Sequence, residues 1–298
     1  MPITEIKNKR NLPQIMVDVA ENDTYTPVGD IGVTTLIDSP RIRILKKHCN
    51  YTEDVSELVW SIFGTATHSI IERACENNKE KYWSEVSLEW EVYGGVKVGG
   101  TLDLYDKESK KLHDFKVTSV WSIIFGDRII SWTKQLNIYM YLLHKTFPDM
   151  EVKEMSIITL LKDWNESQSK RDGDYPKSAI EEIPIKMGGI DKIEKFIEER
   201  ITLHINEEDV YNSDGEAKMS VCTEDERWAK PTKYAVRKEG RKTALRVLDT
   251  LVDADAWILE KGSPGEKLTI EVRKGEDVRC LRYCPVKEFC SYYKNTYE

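Results

Sequence analysis

Two acidic residues and a lysine stand where they could perform metal-dependent chemistry. Asp103 ends the sequence GGTLD, and eleven positions later Asp114 begins the sequence DFK, with a polar, charged turn at residues 107–110 between them. If that turn joins two antiparallel strands, Asp103 lies directly opposite Asp114, with Cβ atoms roughly 5 Å apart. Two like charges so placed destabilise a sheet unless a cation neutralises them. We therefore predict a divalent-metal site on this hairpin.

Magnesium suits such a site, because it is a hard ion that prefers one or two carboxylates together with waters and phosphate oxygens. Lys116 follows Asp114 by two residues, so in a strand both side chains point to the same face. There the lysine could hold an attacking water or stabilise charge that develops on a phosphate. The alternative is a surface hairpin whose acidic side chains are simply solvated.

Further polar residues surround the hairpin in the sequence. His68 and Glu72 are four apart and share a helix face, as do Gln135 and Tyr139 in the sequence WTKQLNIYMYLL. The histidine pair also fits a local hydrogen bond, and the second pair fits an amphipathic helix with a buried tyrosine. Glu85 and Glu89 alternate with apolar residues, as in a half-buried strand, and the pattern does not choose between them as a further acidic ligand.

Taken in order, these motifs resemble the PD-(D/E)XK nuclease superfamily, and within it the RecB-like branch of CRISPR-associated and phage exonucleases. The sequence FGTATHSIIERACE is similar to the first motif of that branch, a helix entered through a glycine (Gly64) and carrying a histidine (His68). The resemblance covers roughly residues 30–165. It implies an α/β fold with a restriction-endonuclease-like core, in which a mixed central sheet is flanked by helices.

The resemblance also implies a role for each site residue. Mg2+ or Mn2+ would be bound by His68, Asp103, Asp114 and the backbone carbonyl of Phe115. Lys116 would orient the nucleophilic water, and Gln135 and Tyr139 would position the nucleic-acid strand.

Three cysteines near the end of the chain indicate a second metal site. Cys280, Cys284 and Cys290 fall within eleven residues, a spacing that in an intracellular protein favours metal binding over disulfides. The best fourth ligand is Cys222, followed by Cys49. Four cysteines fit a [4Fe-4S] cluster or structural Zn2+, and the alternative is free cysteines in a packed terminus.

The resemblance favours the iron-sulfur cluster, because RecB-like nucleases of the iron-sulfur type have a comparable triplet near the C-terminus. In those proteins the fourth cysteine typically comes just before a proline near the first helix. This sequence departs from that pattern, since Ser39 precedes Pro40.

The same part of the chain contains a basic segment, interleaved with Trp228 and Tyr234, that could bind nucleic acid through phosphate contacts and base stacking. Its alternative interpretation is a solvated loop and helix face. The net charge of −8 argues against a protein that coats nucleic acid generally, although a local basic strip suffices to follow a backbone. The basic residues are Lys230, Lys233, Arg237, Lys238, Arg241, Lys242 and Arg246.

The 298 residues divide by pattern into an N-terminal arm (1–30), a nuclease core (31–210) and a C-terminal unit (211–298) with the basic helix and the cysteine cluster. The core is predicted to run helix, three strands, helix, strand, followed by an exposed loop or hairpin at 164–180 and a helix at 190–205. A further helix is predicted from about Arg241 to Lys261, ending at Gly262 and Pro264. No apolar run has membrane-spanning length and the N-terminus lacks a signal-peptide core, so we expect a cytoplasmic protein, cellular or phage-encoded.

These observations predict a divalent-metal-dependent DNA nuclease that hydrolyses phosphodiester bonds. An exonuclease on single-stranded DNA or DNA ends fits best, in recombination, repair, or CRISPR or phage DNA processing. Its expected partners are DNA and a recombinase, a helicase or a CRISPR integration protein, and no membrane. The alternatives are a structure-specific endonuclease, and a nucleic-acid-binding or partner-recruiting module on a nuclease fold in which catalysis is secondary.

Overall fold

The computed structural model describes residues 5–23, 27–263 and 265–298, which form two units. The first unit extends to Gly215 and the second runs from Glu216 to Glu298. The predicted boundary between residues 210 and 211 falls inside a helix that continues to Asp214. Pro264, predicted to follow the end of a helix, lies outside the described residues.

The first unit is an α/β structure around a mixed, six-stranded sheet of order β2-β5-β6-β7-β8, with β4 also paired to β5. Two neighbouring pairs are parallel (β2 with β5, β6 with β7), and the other three are antiparallel. The strands are β2 (Ile31–Gly32), β4 (Tyr82–Glu91), β5 (Lys97–Asp106), β6 (Lys111–Thr118), β7 (Glu154–Leu161) and β8 (Ile180–Ile185).

Helices flank this sheet and share its apolar core. The most buried is the one that carries the predicted Q-x-x-x-Y motif, with ten consecutive or near-consecutive buried side chains between Trp132 and Leu143. The helices of this unit are α1 (Gln14–Asn22), α2 (Val33–Ile37), α3 (Pro40–His48), α4 (Val55–Glu76), α5 (Val120–Phe125), α6 (Ile129–Thr146), α7 (Glu166–Arg171) and α8 (Ile190–Asp214). In the part of the chain that the structure describes, no helix combines the length and apolarity that a membrane crossing needs.

One edge of β5 pairs with two different strands along its length, and the candidate site lies where one pairing ends. Strand β2 pairs with β5 at Val98 and Gly99, whereas β6 pairs with it from Leu104 to Asp106. The two strands of the hairpin therefore separate just beyond the Leu104–His113 pair. The turn at 107–110 is confirmed, and the same register places Asp103 and Asp114 next in line, at the mouth of the fork.

The N-terminal segment differs from the predicted irregular arm. Strand β1 (Glu5–Lys7) pairs in parallel with β3 (Thr52–Asp54), and α1 buries Val17 and Ala20 against Val55. The periodicity of Ile15 to Ala20 is short, and its apolar partners are supplied by α4, some forty residues later in the chain. A small separate core is therefore present where an arm was predicted.

The segment at 164–180 was predicted as an exposed loop or hairpin, but it contains helix α7 and a buried tyrosine. Tyr175 is 3% exposed, and its hydroxyl accepts a hydrogen bond from the backbone amide of Asn165 (3.0 Å). The aromatic ring packs in a cluster with Val120 and Leu161. One buried ring thus orders a segment whose composition is otherwise typical of a loop.

The second unit has a three-stranded antiparallel sheet of order β11-β10-β12 and a two-stranded pair, β9 with β13. The predicted helix from Arg241 begins only at Leu251, because Arg246 to Leu248 pair with β10 as a strand. Short helical turns occupy Glu216–Lys218, Arg279–Tyr283 and Lys287–Phe289. The other elements are α9 (Glu224–Arg227), β9 (Ala229–Lys230), β10 (Lys233–Lys238), β11 (Arg246–Leu248), α10 (Leu251–Lys261), β12 (Leu268–Arg273), β13 (Glu276–Asp277) and α11 (Ser291–Tyr297).

Candidate metal centre

Asp103 lies at the mouth of the fork between β5 and β6, and its side chain bridges the two strands. The residue is 8% exposed, and its Oδ2 accepts a hydrogen bond from the backbone amide of Phe115 (2.7 Å). The carboxylate thus takes the place of a backbone acceptor where the ladder has ended. Its position is therefore held by the sheet itself, and its Oδ1 is left to face the other site residues.

Asp114 is the most buried acid of the site, at 1% exposure. The ammonium of Lys116, two residues further along β6, lies 2.8 Å from Asp114 Oδ2. Asp114 Oδ1 is buried and accepts no hydrogen bond within the described part of the chain. A buried carboxylate oxygen that contacts neither water nor a hydrogen-bond donor destabilises the folded state, and a bound cation would remove this cost.

His68 and Glu85 complete the group from two other elements. His68 Nδ1, on α4, lies 3.0 Å from Glu85 Oε1 on β4 and 3.5 Å from Asp103 Oδ1. One ligand atom from each of these three residues falls within 4.8 Å of the other two. A nitrogen and two carboxylates so arranged can hold one metal ion.

Glu85 adopts an unfavourable backbone conformation at its position in the site. Its φ is +49°, in the left-handed region that non-glycine residues rarely adopt. The β4–β5 ladder lacks a pair at this point, between Ser84–Leu104 and Val86–Leu102, so Glu85 stands opposite Asp103. Such a conformation costs on the order of 1–2 kcal/mol and is found where surrounding structure enforces it, often at functional sites.

The structure also distinguishes Glu72, Glu85 and Glu89, whose roles the sequence did not decide. Glu89 lies four residues further along β4 and pairs with Lys97 (2.9 Å) at an exposed position. Glu72, one turn after His68 on α4, is exposed. Glu85 is the one that joins the His68 and Asp103 group.

The electrostatics of the site reflect five ionisable groups crowded together, of which two are buried and three half-buried. Burial, followed by the charge of Asp114, raises the pKa of Asp103 to about 7. A hydrogen bond to Glu85, aided by the charges of Asp103 and Asp114, raises the pKa of His68 despite its burial. Burial opposes the charge of Lys116, but Asp114 and Asp103 outweigh it and raise the pKa of that ammonium.

These residues fit a divalent cation. The orphaned oxygen of Asp114, the two further carboxylates and the imidazole of His68 are hard or borderline donors, and the excess of negative charge is what a cation would neutralise. Oxygen donors favour Mg2+, and the imidazole nitrogen makes Mn2+ equally suitable. Phe115 was predicted to bind the metal through its carbonyl. The structure shows instead its backbone amide donating a hydrogen bond to Asp103 Oδ2, and a metal contact of the carbonyl stays a prediction.

Gln135 and Tyr139 lie in the core behind β5, at 7% and 6% exposure. A Cβ placed on Gly100 would be 3.0 Å from both Cε1 and the hydroxyl of Tyr139, so the ring packs directly on the glycine. An alanine at Gly100 would require the ring to move by a few tenths of an ångström. The tyrosine therefore packs against β5 three residues before Asp103, and the predicted role of Gln135 and Tyr139 in positioning a nucleic-acid strand stays a prediction.

Gly64 was predicted at the entrance of the histidine helix, but it lies in the middle of α4. That helix begins at Val55, and Asp54 caps it by accepting a hydrogen bond from the amide of Ser56. The residues before Gly64 (VSELVWSIF) therefore form the first half of the same helix.

Cys222, Cys284 and Cys290 lie near enough to Cys280 in the second unit for their charges to act on it. Burial, the charge of Asp277 and the charges of these three thiols raise the pKa of Cys280 to about 12. Thiolates that are near one another repel, and a bound cation removes the penalty. The four thiols are therefore neighbours, and their use as ligands of a metal or cluster stays a prediction. Cys49, the second choice for the fourth ligand, lies in the first unit at the end of α3.

The predicted basic strip is a strand, a turn and a second strand, not a loop followed by a helix. Three of its cations pair with acids of the same unit: Lys233 with Asp249, Arg237 with Glu271 and Lys238 with Glu266. Trp228 packs against Tyr283 with a ring-centroid distance of 5.5 Å. Positive charge in this segment is therefore partly neutralised.

No protein-family model and no curated protein matches this chain. Among solved structures, one described as "Crystal structure of SSO0001" is similar over 64% of this chain and 83% of that chain, with 20% sequence identity and a TM-score of 0.42. So distant a likeness carries no argument about function.

Proposed function

We propose that this chain is a divalent-metal-dependent DNA nuclease with a restriction-endonuclease-like core. The observation that carries the proposal is Asp114, whose buried Oδ1 has no hydrogen-bond partner among the described residues and whose Oδ2 faces Lys116. A buried acid beside a half-buried lysine, at a fork where a second acid and a histidine converge, is the arrangement expected for hydrolysis of a phosphodiester.

The metal would be held by Asp103 and Asp114 together with His68 and Glu85, and Mg2+ or Mn2+ are the ions that suit these donors. When bound, it would lower the pKa of a coordinated water and stabilise negative charge on the phosphate. Glu85 enters this set in addition to the ligands that the motif resemblance implies.

Lys116 acts as a hydrogen-bond donor in this proposal. Its raised pKa keeps the ammonium protonated at neutral pH, so it cannot remove a proton from water. It can hold a water through the oxygen atom, or donate to a phosphate oxygen as charge develops there. Asp114 fixes the ammonium at 2.8 Å, so the donor is already oriented before substrate binds.

The proposal predicts complete dependence on Asp114 and Lys116. We expect Asp114→Asn and Lys116→Ala to leave a folded protein whose Mn2+-dependent cleavage of end-labelled single-stranded DNA falls on the order of 100-fold or more. Lys110→Ala, a change at an exposed lysine of the same hairpin that pairs with Glu151, serves as the matched control and retains activity. Undiminished cleavage by either site variant would refute the assignment.

Glu85 and Glu89, both on β4, allow a further test of the metal site. Glu85→Gln is expected to weaken Mn2+ binding, measured by isothermal titration, whereas Glu89→Gln leaves it unchanged. Equal affinities would remove Glu85 from the ligand set.

An exonuclease that acts on single strands or ends is the form of this activity that we propose, with a structure-specific endonuclease as the alternative. Closed circular single-stranded DNA separates them, because an exonuclease needs an end. Degradation of the linear form alone supports the exonuclease.

We also propose that the four clustered cysteines hold a [4Fe-4S] cluster, with structural Zn2+ as the alternative. A brown protein whose broad visible absorbance bleaches on reduction is expected, and a colourless protein with one equivalent of zinc would establish the alternative. Cys284→Ser is expected to lose the bound metal and destabilise the second unit, since a small unit depends on such cross-links. Cys49→Ser is the control, and metal retained by the first variant would contradict the assignment.

A further inference from the structure

Two pairs of neighbouring large aromatic side chains are exposed in the first unit, and we call these two pairs the aromatic platform. On α4, Trp60 and Phe63 are 51% and 49% exposed, with ring centroids 5.7 Å apart. On α5, Trp121 and Phe125 are 48% and 71% exposed and stack with centroids 5.6 Å apart at 20°. Exposed rings grouped in this way mark interaction sites, because burying them elsewhere in the fold would stabilise the chain.

Lys162 lies over the first pair of rings and close to the start of the helix that carries the second pair. The ammonium of Lys162 lies 3.1 Å from the ring centroid of Trp60, and its backbone amide donates to the carbonyl of Thr118, at the end of β6. The next residue, Asp163, caps α5 by accepting hydrogen bonds from Val120 N (2.7 Å) and from the hydroxyl of Ser119 (2.6 Å). Lys162 is therefore held over one pair and beside the helix that carries the other.

The platform carries a cation as well as aromatic rings. Burial lowers the pKa of Lys162, and the charge of Arg128 lowers it further against the opposing effect of Asp163. Lys162 and Arg128 are thus near enough to interact, and Asp163 offsets part of their charge. The ammonium held over Trp60 is the group that an anionic ligand can contact.

One face of α4 leads from the platform to the metal centre. Trp60, Gly64 and His68 are spaced by four residues, so they form one ridge that spans about 12 Å along the helix. A Cβ at Gly64 would meet nothing within 4 Å, so packing within the described chain does not require glycine there. Glycine in a helix interior costs roughly 1 kcal/mol relative to alanine. A ligand that passes close to the backbone is one reason to keep it.

We propose that the aromatic platform binds the unpaired bases of a single nucleic-acid strand, whose backbone crosses Gly64 to reach the residues around His68. This inference rests on the proposed nuclease function and names its substrate as single-stranded. Bases stack on aromatic rings regardless of sequence, and nearby cations neutralise the backbone, so the two features together fit one occupant. The ridge supplies the direction in which the strand runs.

The test compares a 20-nucleotide oligothymidylate with an abasic oligomer of the same phosphate count, using Asp114→Asn protein in Mg2+ so that substrate is not consumed. The Asp114→Asn protein without further changes is expected to bind the oligothymidylate on the order of tenfold more tightly than the abasic oligomer. Trp121→Ala and Trp60→Ala are expected to reduce this preference. Trp90→Ala, at another exposed tryptophan on β4 (39% exposed), is the matched control and keeps it.

Gly64→Ala gives an independent readout. The variant is expected to unfold at a higher temperature than the parent, because alanine favours the helix, yet to cleave single-stranded DNA several-fold more slowly in the otherwise unmodified protein. Equal binding of the thymidylate and abasic oligomers, or platform variants that alter only the oligomeric state, would overturn the inference. Base-dependent binding without any cleavage by the unmodified protein would retain the platform and reject the nuclease activity.

Discussion

At the scale of single residues, the candidate metal centre is expensive to build without a cation. Asp103 and Asp114 are buried near one another, and Glu85 adopts a left-handed backbone conformation opposite Asp103. Lys116 and His68 offset part of the negative charge, but within the chain that the structure describes one oxygen of Asp114 still lacks a donor. A chain selected for stability alone would replace these acids, so their presence favours a functional explanation.

Asp103→Asn is therefore expected to stabilise the metal-free protein while abolishing metal-dependent cleavage. The native pKa of Asp103, about 7, lies above the ordinary value of 3.8, so the native state binds the proton more tightly than the unfolded state does. Wild-type stability is consequently lost as pH rises from about 4 through 7. In EDTA we expect the variant to gain on the order of 1–3 kcal/mol at pH 8 and little at pH 4.

Urea unfolding of the two proteins at both pH values checks this prediction. Asp106→Asn, three residues further along β5, is the control with the opposite sign, because hydrogen bonds from the amides of Ser109 and Glu108 lower the pKa of that carboxyl. A variant at Asp103 that is less stable than wild type at both pH values would show that its charge is not a burden on the fold.

At the scale of elements, the hairpin was predictable and its surroundings less so. The polar turn and the flanking apolar residues fix the β5–β6 register, so sequence alone placed Asp103 opposite Asp114. The choice between Glu85 and Glu89 was not predictable, because residues four apart on a strand share a face. What separates them is a local break in the ladder at Glu85, which no alternation pattern reveals.

The basic segment shows why a helix was predicted where a hairpin forms. Residues 241–261 contain helix-forming types, but Arg246 to Leu248 pair with β10, which in turn pairs with β12 more than thirty residues away. Strand propensity depends on such distant partners, so a local window cannot detect it. Helix α10 was identified correctly from Leu251 onward, where its own apolar spacing decides the structure.

At the scale of the whole first unit, a buried histidine joins three helices behind the sheet. His204 on α8 is fully buried; its Nε2 donates to the carbonyl of Leu36 on α2 (3.2 Å), and its Nδ1 accepts from Arg43 Nε on α3 (2.9 Å). This pairing requires a neutral imidazole. A proton on Nδ1 would face the guanidinium of Arg43 directly, and sequence patterns around a lone histidine gave no sign of it.

The first unit is therefore expected to lose stability in mild acid. Burial, then the charges of Arg43 and Arg200, lower the pKa of His204 to about 4, against a weaker opposing effect of Asp38. Since the unfolded state binds the proton near pH 6.5, stability is present above that pH and is lost as pH falls toward 4. The loss should be roughly 3 kcal/mol, at 1.36 kcal/mol for each pKa unit.

Urea unfolding of the first unit, measured at several pH values between 7.5 and 4.5, tests this expectation. The quantity compared is the slope of the free energy of unfolding against pH. His204→Gln should be less stable than wild type at pH 7.5, because it loses the acceptor for Arg43, but its stability should fall less steeply with acid. His144→Gln, at an exposed position on α6, should reproduce the wild-type slope. Parallel slopes for wild type and His204→Gln would place the acid sensitivity elsewhere, for example at Glu208. Burial raises the pKa of that carboxyl, but Lys47 and Arg43 outweigh it and lower the pKa to about 2.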